Sequence, residues 1–284
     1  MKRRPLLALM LLCSVVSLCG AEPPAKDIYA RENLLAWCIV PFDAKKRGPE
    51  ERAEMLERLG IKGLAYDWRD EHIPQFDSEV EAMKKRGIAI KAWWCPGVLN
   101  DQSKKILDVA KRHNLHLQLW VMANPSGATQ DEKVANAAKS LTPLADAAAE
   151  IGCDVALYNH GGWFGEPENQ AAIVKAMNKK NVGIVYNFHH GHAHIANFKD
   201  RLAAMQPYLL AVNLNGMRID GDKTGKKILS LGLGDQEAAM MKTIRDSGWK
   251  GPVGLICHRT DADAEVVLKE NLAGLDKVLS ELNK

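Results

Sequence analysis

Short apolar runs alternate along the chain with longer stretches in which apolar residues recur every three or four positions. The first pattern predicts buried strands and the second amphipathic helices packed over them. Strands are expected over residues 34–40, 63–66, 88–93, 115–121, 155–158, 182–188, 209–214 and 253–257, with one further short run, 228–231, in the long connection after the seventh. The stretches between carry helix punctuation. Pro49 opens a helix over 50–59 that Gly60 stops, Asp77 caps one over 78–86 that Gly87 stops, and Gly152 and Gly248 close two later ones. Eight strand–helix repeats predict an α/β chain folded as one (β/α)8 barrel domain. A doubly wound sheet would bring fewer units and a Gly-rich phosphate loop behind its first strand. No G-x-G-x-x-G follows Val40, and the chain has no Walker loop, G-x-S-x-G elbow or H-E-x-x-H pair, so no nucleotide cofactor is expected.

The first residues fall outside this pattern. Lys2, Arg3 and Arg4 precede an almost unbroken apolar stretch over 6–18, and Cys19, Gly20 and Ala21 supply small residues for cleavage. Residues 1–21 are therefore expected to be a removed signal peptide, leaving a barrel domain over 22–284 that is exported to the periplasm or beyond. Lipid attachment at Cys19 is the lesser alternative, because Leu18 is larger than the small residue such a site wants. The stretch is short for a membrane span, and no later apolar run reaches the roughly 20 residues a span needs, so no transmembrane segment is expected.

Without that segment the 38 basic residues lose three and become 35, against 35 acidic ones. A neutral chain excludes duplex nucleic acid as a partner, since that surface needs a basic stripe. The clusters Lys84-Lys85-Arg86 and Lys179-Lys180 fall at predicted helix ends, where cations complement the dipole. Cys38, Cys95, Cys153 and Cys257 are widely spaced with no C-x-x-C pair and read as core residues or at most one bridge.

In a barrel the chemistry belongs at the C-terminal strand ends. Six of the nine histidines and six of the seven tryptophans fall there, so one mouth gathers imidazole and indole. Trp37, Trp68, Trp93, Trp120 and Trp163 offer flat apolar surface for the C–H faces of a sugar, while Asn187, Asn213, Asn215 and His258 can satisfy hydroxyls. A small carbohydrate or polyol is the expected ligand; for any single Trp, core packing is the competing explanation. His160 and His190, two or three residues past a strand end, are the candidate catalytic imidazoles. Lys91 interrupts the third strand, where an ammonium needs a carboxylate, and Asp67 at the neighbouring strand end is its expected partner in either a structural or a catalytic pair. The run His189, His190, His192, His194 fits either a metal site or a solvated loop.

These strand ends resemble the xylose isomerase-like TIM-barrel superfamily, which includes sugar phosphate isomerases and epimerases and, more distantly, apurinic endonucleases. The resemblance rests on Leu157-Tyr158-Asn159-His160-Gly161-Gly162 at strand five, Asn187-Phe188-His189-His190 at strand six, Gly232-Leu233-Gly234-Asp235, and Gly251-Pro252-Val253-Gly254-Leu255 before the last strand. It implies one divalent metal held by Glu, Asp, His and Glu at the ends of strands five to eight, with the glutamates also moving the proton. Here Tyr158, Asn187, Asn213 and Ile256 or Cys257 stand at those places, so a metal would have to use His160, His190, His258 and a carboxylate such as Asp67. The expected function is an exported isomerase or epimerase acting by proton transfer next to a sugar carbonyl. A non-catalytic carbohydrate-binding barrel and a lyase eliminating on an oxidised sugar are the alternatives.

Overall fold

The computed structural model describes residues 27–284, so the expected signal segment lies outside the described residues. Each apolar run forms a strand: β1 (Leu34–Trp37), β2 (Gly63–Tyr66), β3 (Ala89–Cys95), β4 (Gln118–Val121), β5 (Asp154–Tyr158), β6 (Val182–Asn187), β7 (Leu209–Leu214) and β8 (Val253–Ile256). All eight are parallel, each pairs with its neighbour in sequence, and β8 returns to β1 to close the barrel. The helices α1 (Pro49–Arg58), α2 (Phe76–Lys85), α3 (Asp101–Arg112), α4 (Gln130–Ala149), α5 (Gly162–Gly165), α6 (Pro167–Met177), α7 (Phe198–Met205), α8 (Glu237–Asp246) and α9 (Ala264–Leu282) fall between and after the strands. The barrel has no sheet edge left to protect.

Boundaries differ from the sequence pattern where local chemistry intervenes. The first strand ends at Trp37 rather than Val40 because Cys38 turns to a φ of 59°, which no strand residue adopts. The second helix starts at Phe76, and Asp77 pairs with Arg112 and His113 instead of capping. The run 228–231 forms no strand: the Leu229 carbonyl accepts from Gly216 N–H and the Leu229 N–H donates to Asn215, inside the long loop after β7.

Strand faces sort into two cores. Residues facing the helices, such as Tyr66, Trp93, Leu119, Tyr186 and Leu255, merge with the helix undersides into the larger apolar cluster. Leu35, Trp37, Ala65, Ala92, Trp120, Ala156, Tyr158, Val185, Ala211 and Ile256 form a separate cluster inside the barrel. Between β2 and β3 the register shifts, with Leu64 opposite Ile90 but Ala65 opposite Ala92, so Lys91 is an extra, bulged residue. A bulge reverses the alternation beyond it. Trp93 therefore faces the helices, stacked edge-on against Tyr66 and Phe76, and Trp94 enters the barrel cluster.

Candidate active site

The barrel is filled near its C-terminal end by aromatic rings. Trp37 meets Trp120 edge-on at 4.7 Å, Trp94 meets Tyr158 edge-on at 5.2 Å, and Trp37 Nε1–H donates to the Tyr158 hydroxyl at 3.3 Å. Burial pushes the Tyr158 phenol well above its ordinary range, so it stays neutral. On β6 and β7, Asn187 and Asn213 continue this inner face by strand alternation. Asn213 Nδ2 donates to Asn187 Oδ1 at 2.5 Å, and Asn187 Nδ2 donates to Asn159 Oδ1 at 2.9 Å. The ladder is buried and uncharged.

Above this floor lies a cavity of about 80 Å³ lined by Trp37, Cys38, Phe42, Asp67, Arg69, Trp94, Tyr158 and the four histidines His160, His189, His190 and His258. His189 and His190 rings lie 3.7 Å apart, His160 and His190 4.4 Å, and His258 stands edge-on to Phe42 at 4.0 Å. Burial first, and then mutual repulsion and the Lys227 charge, hold His190 down at about 2 and His189 well below the ordinary imidazole range. His160 and His258 are lowered as well, burial again leading and Lys227 adding. All four are neutral imidazoles at neutral pH, and His189 and His258 each keep a buried Nδ1 without a partner.

Among the described residues, Asp67 is the one carboxyl lining this cavity. It is 2% exposed; its Oδ1 accepts the Val40 N–H at 3.2 Å and its Oδ2 has no partner. Burial raises its pKa to about 7, against partial relief from Arg69 and Arg52. A carboxyl that ionises near neutrality can both take and return a proton at that pH.

Of the residues expected at the mouth, Trp37, Asp67, His160, His190 and His258 line the cavity together. Lys91 does not: the bulged residue is exposed and lies beside Gly87, Asn114 and His116 at the N-terminal ends of the strands, so the expected pair with Asp67 does not form. Trp93 faces the helices, and Trp68 stacks on Phe76 with its Nε1–H on the Trp94 carbonyl. Trp120 is fully buried beneath the cavity with its Nε1–H on Gln118, and Trp163 is tied to Gln130 under Lys133. Asn187 and Asn213 belong to the amide ladder, and Asn215 is spent on the backbone of the loop after β7. His192 and His194 are neither solvated nor at the cavity: His192 contacts the Arg218 and Lys227 carbonyls, and His194 contacts Tyr186 and Glu166. Trp94, Tyr158, His189, Phe42 and Arg69 complete the site. Trp94 was hidden by the bulge, whereas His189 and Phe42 sat in stretches already conspicuous at strand ends.

The residues present do not fit a divalent metal at the inward ends of β5–β8. Tyr158, Asn187, Asn213 and Ile256 supply no charged donor, and burial pushes the neighbouring Cys257 thiol far up and keeps it protonated. A hard cation asks for charged oxygen ligands. Among the described residues no three His, Cys, Asp or Glu side chains form a group that could hold a metal ion, the clustered histidines included. Cys38, Cys95, Cys153 and Cys257 are all free and buried.

The closed parallel barrel and the site at its C-terminal mouth define the class, and sequence comparison agrees. The chain belongs to the xylose isomerase-like TIM barrel family, matched over residues 49–278. Similar solved structures include the IolI protein with a bound zinc atom, at 17% identity and TM-score 0.70, covering 88% of this chain and 98% of that one. A 3-keto-D-glucoside 4-epimerase from E. coli aligns at 16% identity and TM-score 0.67, over 87% and 99%. D-psicose 3-epimerase, solved in the presence of D-fructose, aligns at 13% identity and TM-score 0.63, over 87% and 96%. No curated protein matches the chain.

Proposed function

We propose that this protein is an exported carbohydrate-modifying enzyme that moves a proton at a carbon next to a carbonyl, isomerising or epimerising a small sugar with Asp67 as the base. The observation that carries this reading is the buried Asp67 carboxyl in the cavity wall, with an unpartnered Oδ2 and an ionisation near 7. In the proposed step the Asp67 carboxylate takes the C–H proton, the bonding pair moves toward the carbonyl oxygen, and an enediolate forms. A neutral imidazole N–H, from His189, His190 or His258, hydrogen-bonds that oxygen without surrendering a full charge. In an isomerisation the hydroxyl proton of the enediolate crosses to the former carbonyl oxygen, relayed by that imidazole, as Asp67 returns its proton to the former carbonyl carbon; in an epimerisation a group on the opposite face returns a proton to the original carbon. Family membership and the sugar epimerases among the similar structures support this choice of chemistry.

The neutral floor of Tyr158, Asn187 and Asn213 favours a second reading, a barrel that binds a sugar without turning it over. Proton NMR in D₂O separates the two. Deuterium entering a ketose or aldose at the carbon beside the carbonyl, and lost in Asp67→Asn, supports the enzyme; binding with no exchange in a panel of sugars rejects it in favour of the second reading.

A further inference from the structure

We propose that the site stands shut and that the Phe42 ring is its gate: the ring swings off His258 to admit a ligand and closes again over what fits beneath it. This rests on the reading above only in that the cavity takes a molecule as large as a sugar.

The size of the cavity carries the argument. At about 80 Å³ it has room for about three water molecules of roughly 30 Å³ each, whereas ligand pockets begin at roughly 300 Å³. A sugar enters only if part of the wall moves. Three polar atoms of that wall, His189 Nδ1, His258 Nδ1 and Asp67 Oδ2, are sealed from solvent without a protein partner. Leaving such groups unsatisfied is costly, so the shut arrangement carries a cost that an entering hydroxyl relieves.

Most of the wall is fixed. Trp37, Tyr158, Asp67 and His189 are buried. Trp94 lies within β3 with its ring against Trp37 and Tyr158, and His190 is stacked on both His189 and His160. Phe42 differs. It is half-buried in the segment between β1 and α1, which forms neither helix nor strand, and rests on the rim of the barrel cluster. Its ring lies edge-on to His258 at 4.0 Å and 5.4 Å beneath the Arg69 guanidinium. The backbone on either side is anchored. Ile39 and Val40 are buried, Val40 N–H donates to Asp67 Oδ1 at 3.2 Å, and the ring of Pro41 locks its φ. On the other side the buried Asp43 carboxylate accepts the Lys45 and Ala264 N–H groups, both at 3.1 Å. Motion is therefore confined to the Phe42 side chain, a rotamer change rather than a loop opening. Arg69 is the latch. Its Nη1 donates to the carbonyls of Asp67 at 3.0 Å and Trp68 at 2.7 Å, which parks the guanidinium over the ring. A cation–π contact at an exposed position is weak enough to break thermally, so the gate opens without unfolding its surroundings.

Thiol labelling tests this without any sugar, so its outcome is independent of the proton-exchange experiment that tests the chemistry. The folded protein is treated with methyl methanethiosulfonate, and the labelling rate of each cysteine is read by peptide mass spectrometry. Cys38 lines the cavity, whereas Cys95 and Cys153 are buried in the helix-facing core and report global unfolding. In wild type Cys38 is expected to react at least about tenfold faster than either, because local opening costs less than unfolding. Phe42→Ala, which removes the ring, is expected to speed Cys38 by roughly tenfold more. Arg69→Gln is expected to speed it by about twofold to fivefold, the scale of one exposed cation–π contact, and both variants leave Cys95 and Cys153 unchanged. Cys38 reacting no faster than Cys95 and Cys153 in wild type, or at the wild-type rate in both variants, overturns the gate. If Phe42→Ala speeds all three cysteines alike, its fold has loosened and the exposed Arg69 decides: an unchanged Cys38 rate in Arg69→Gln overturns the gate.

Discussion

Replacing Asp67 with Asn should make the protein more stable in alkali. In the folded state burial raises the Asp67 pKa from 3.8 to about 7. A carboxyl with a raised folded pKa contributes stability that is fully present below 3.8 and is lost as pH rises through about 7. Between those values each pH unit costs about 1.4 kcal/mol, and most of the loss from pH 5 to pH 9 is complete by pH 7, giving about 3 kcal/mol in all. The asparagine keeps an oxygen for the Val40 N–H, has the same shape, and does not titrate. The neutral histidines oppose this trend in wild type and variant alike. Their folded pKa values are lowered, so their contribution is present above about 6.5 and lost on acidification, and it cancels in the difference. Urea unfolding followed by tryptophan fluorescence at pH 5, 7 and 9 should show the variant gaining on wild type by about 3 kcal/mol across that range, while proton exchange into substrate is abolished. A stability difference that does not change with pH would refute a buried, late-ionising Asp67, and with it the base assigned here.

Other expectations follow from single contacts. A Cβ on Gly254 would lie 1.8 Å from Asn213 Oδ1, so Gly254→Ala should break the amide ladder and cost about 2 kcal/mol or more in urea unfolding. Arg52 and Glu79 are both buried and 2.5 Å apart between α1 and α2. Glu79→Ala should cost about 3 to 5 kcal/mol by stranding the guanidinium, whereas the double variant Arg52→Met, Glu79→Leu should recover most of that loss in thermal or chemical melts. Lys91→Ala should change stability by less than about 0.5 kcal/mol and leave proton exchange intact; a tenfold drop in exchange would return Lys91 to the chemistry.

The eight strands and their order were legible along the chain because each buried strand is a short apolar run bounded by glycine, proline or charge, and because sequential βα units leave one way to close. The gathering of histidine and tryptophan at strand ends was legible for the same reason, since a barrel fixes which end of each strand carries the loops. Which tryptophan enters the mouth was not. Lys91 reads as one more position in an alternating strand, and only the register of β3 against β2 shows that it is extra. That single residue sends Trp93 to the helices and Trp94 to the site. His192 and His194 looked like His189 and His190 in sequence, yet the first pair is consumed by the Arg218, Lys227 and Tyr186 contacts while the second faces the cavity. Arg69 gave no local sign, because its place in the cavity wall depends on Phe42 arriving from another loop. Sequence periodicity determines how much of each residue type a strand or helix buries; which groups meet, stay unpaired or titrate late depends on neighbours distant in the chain, and those only the closed barrel brings together.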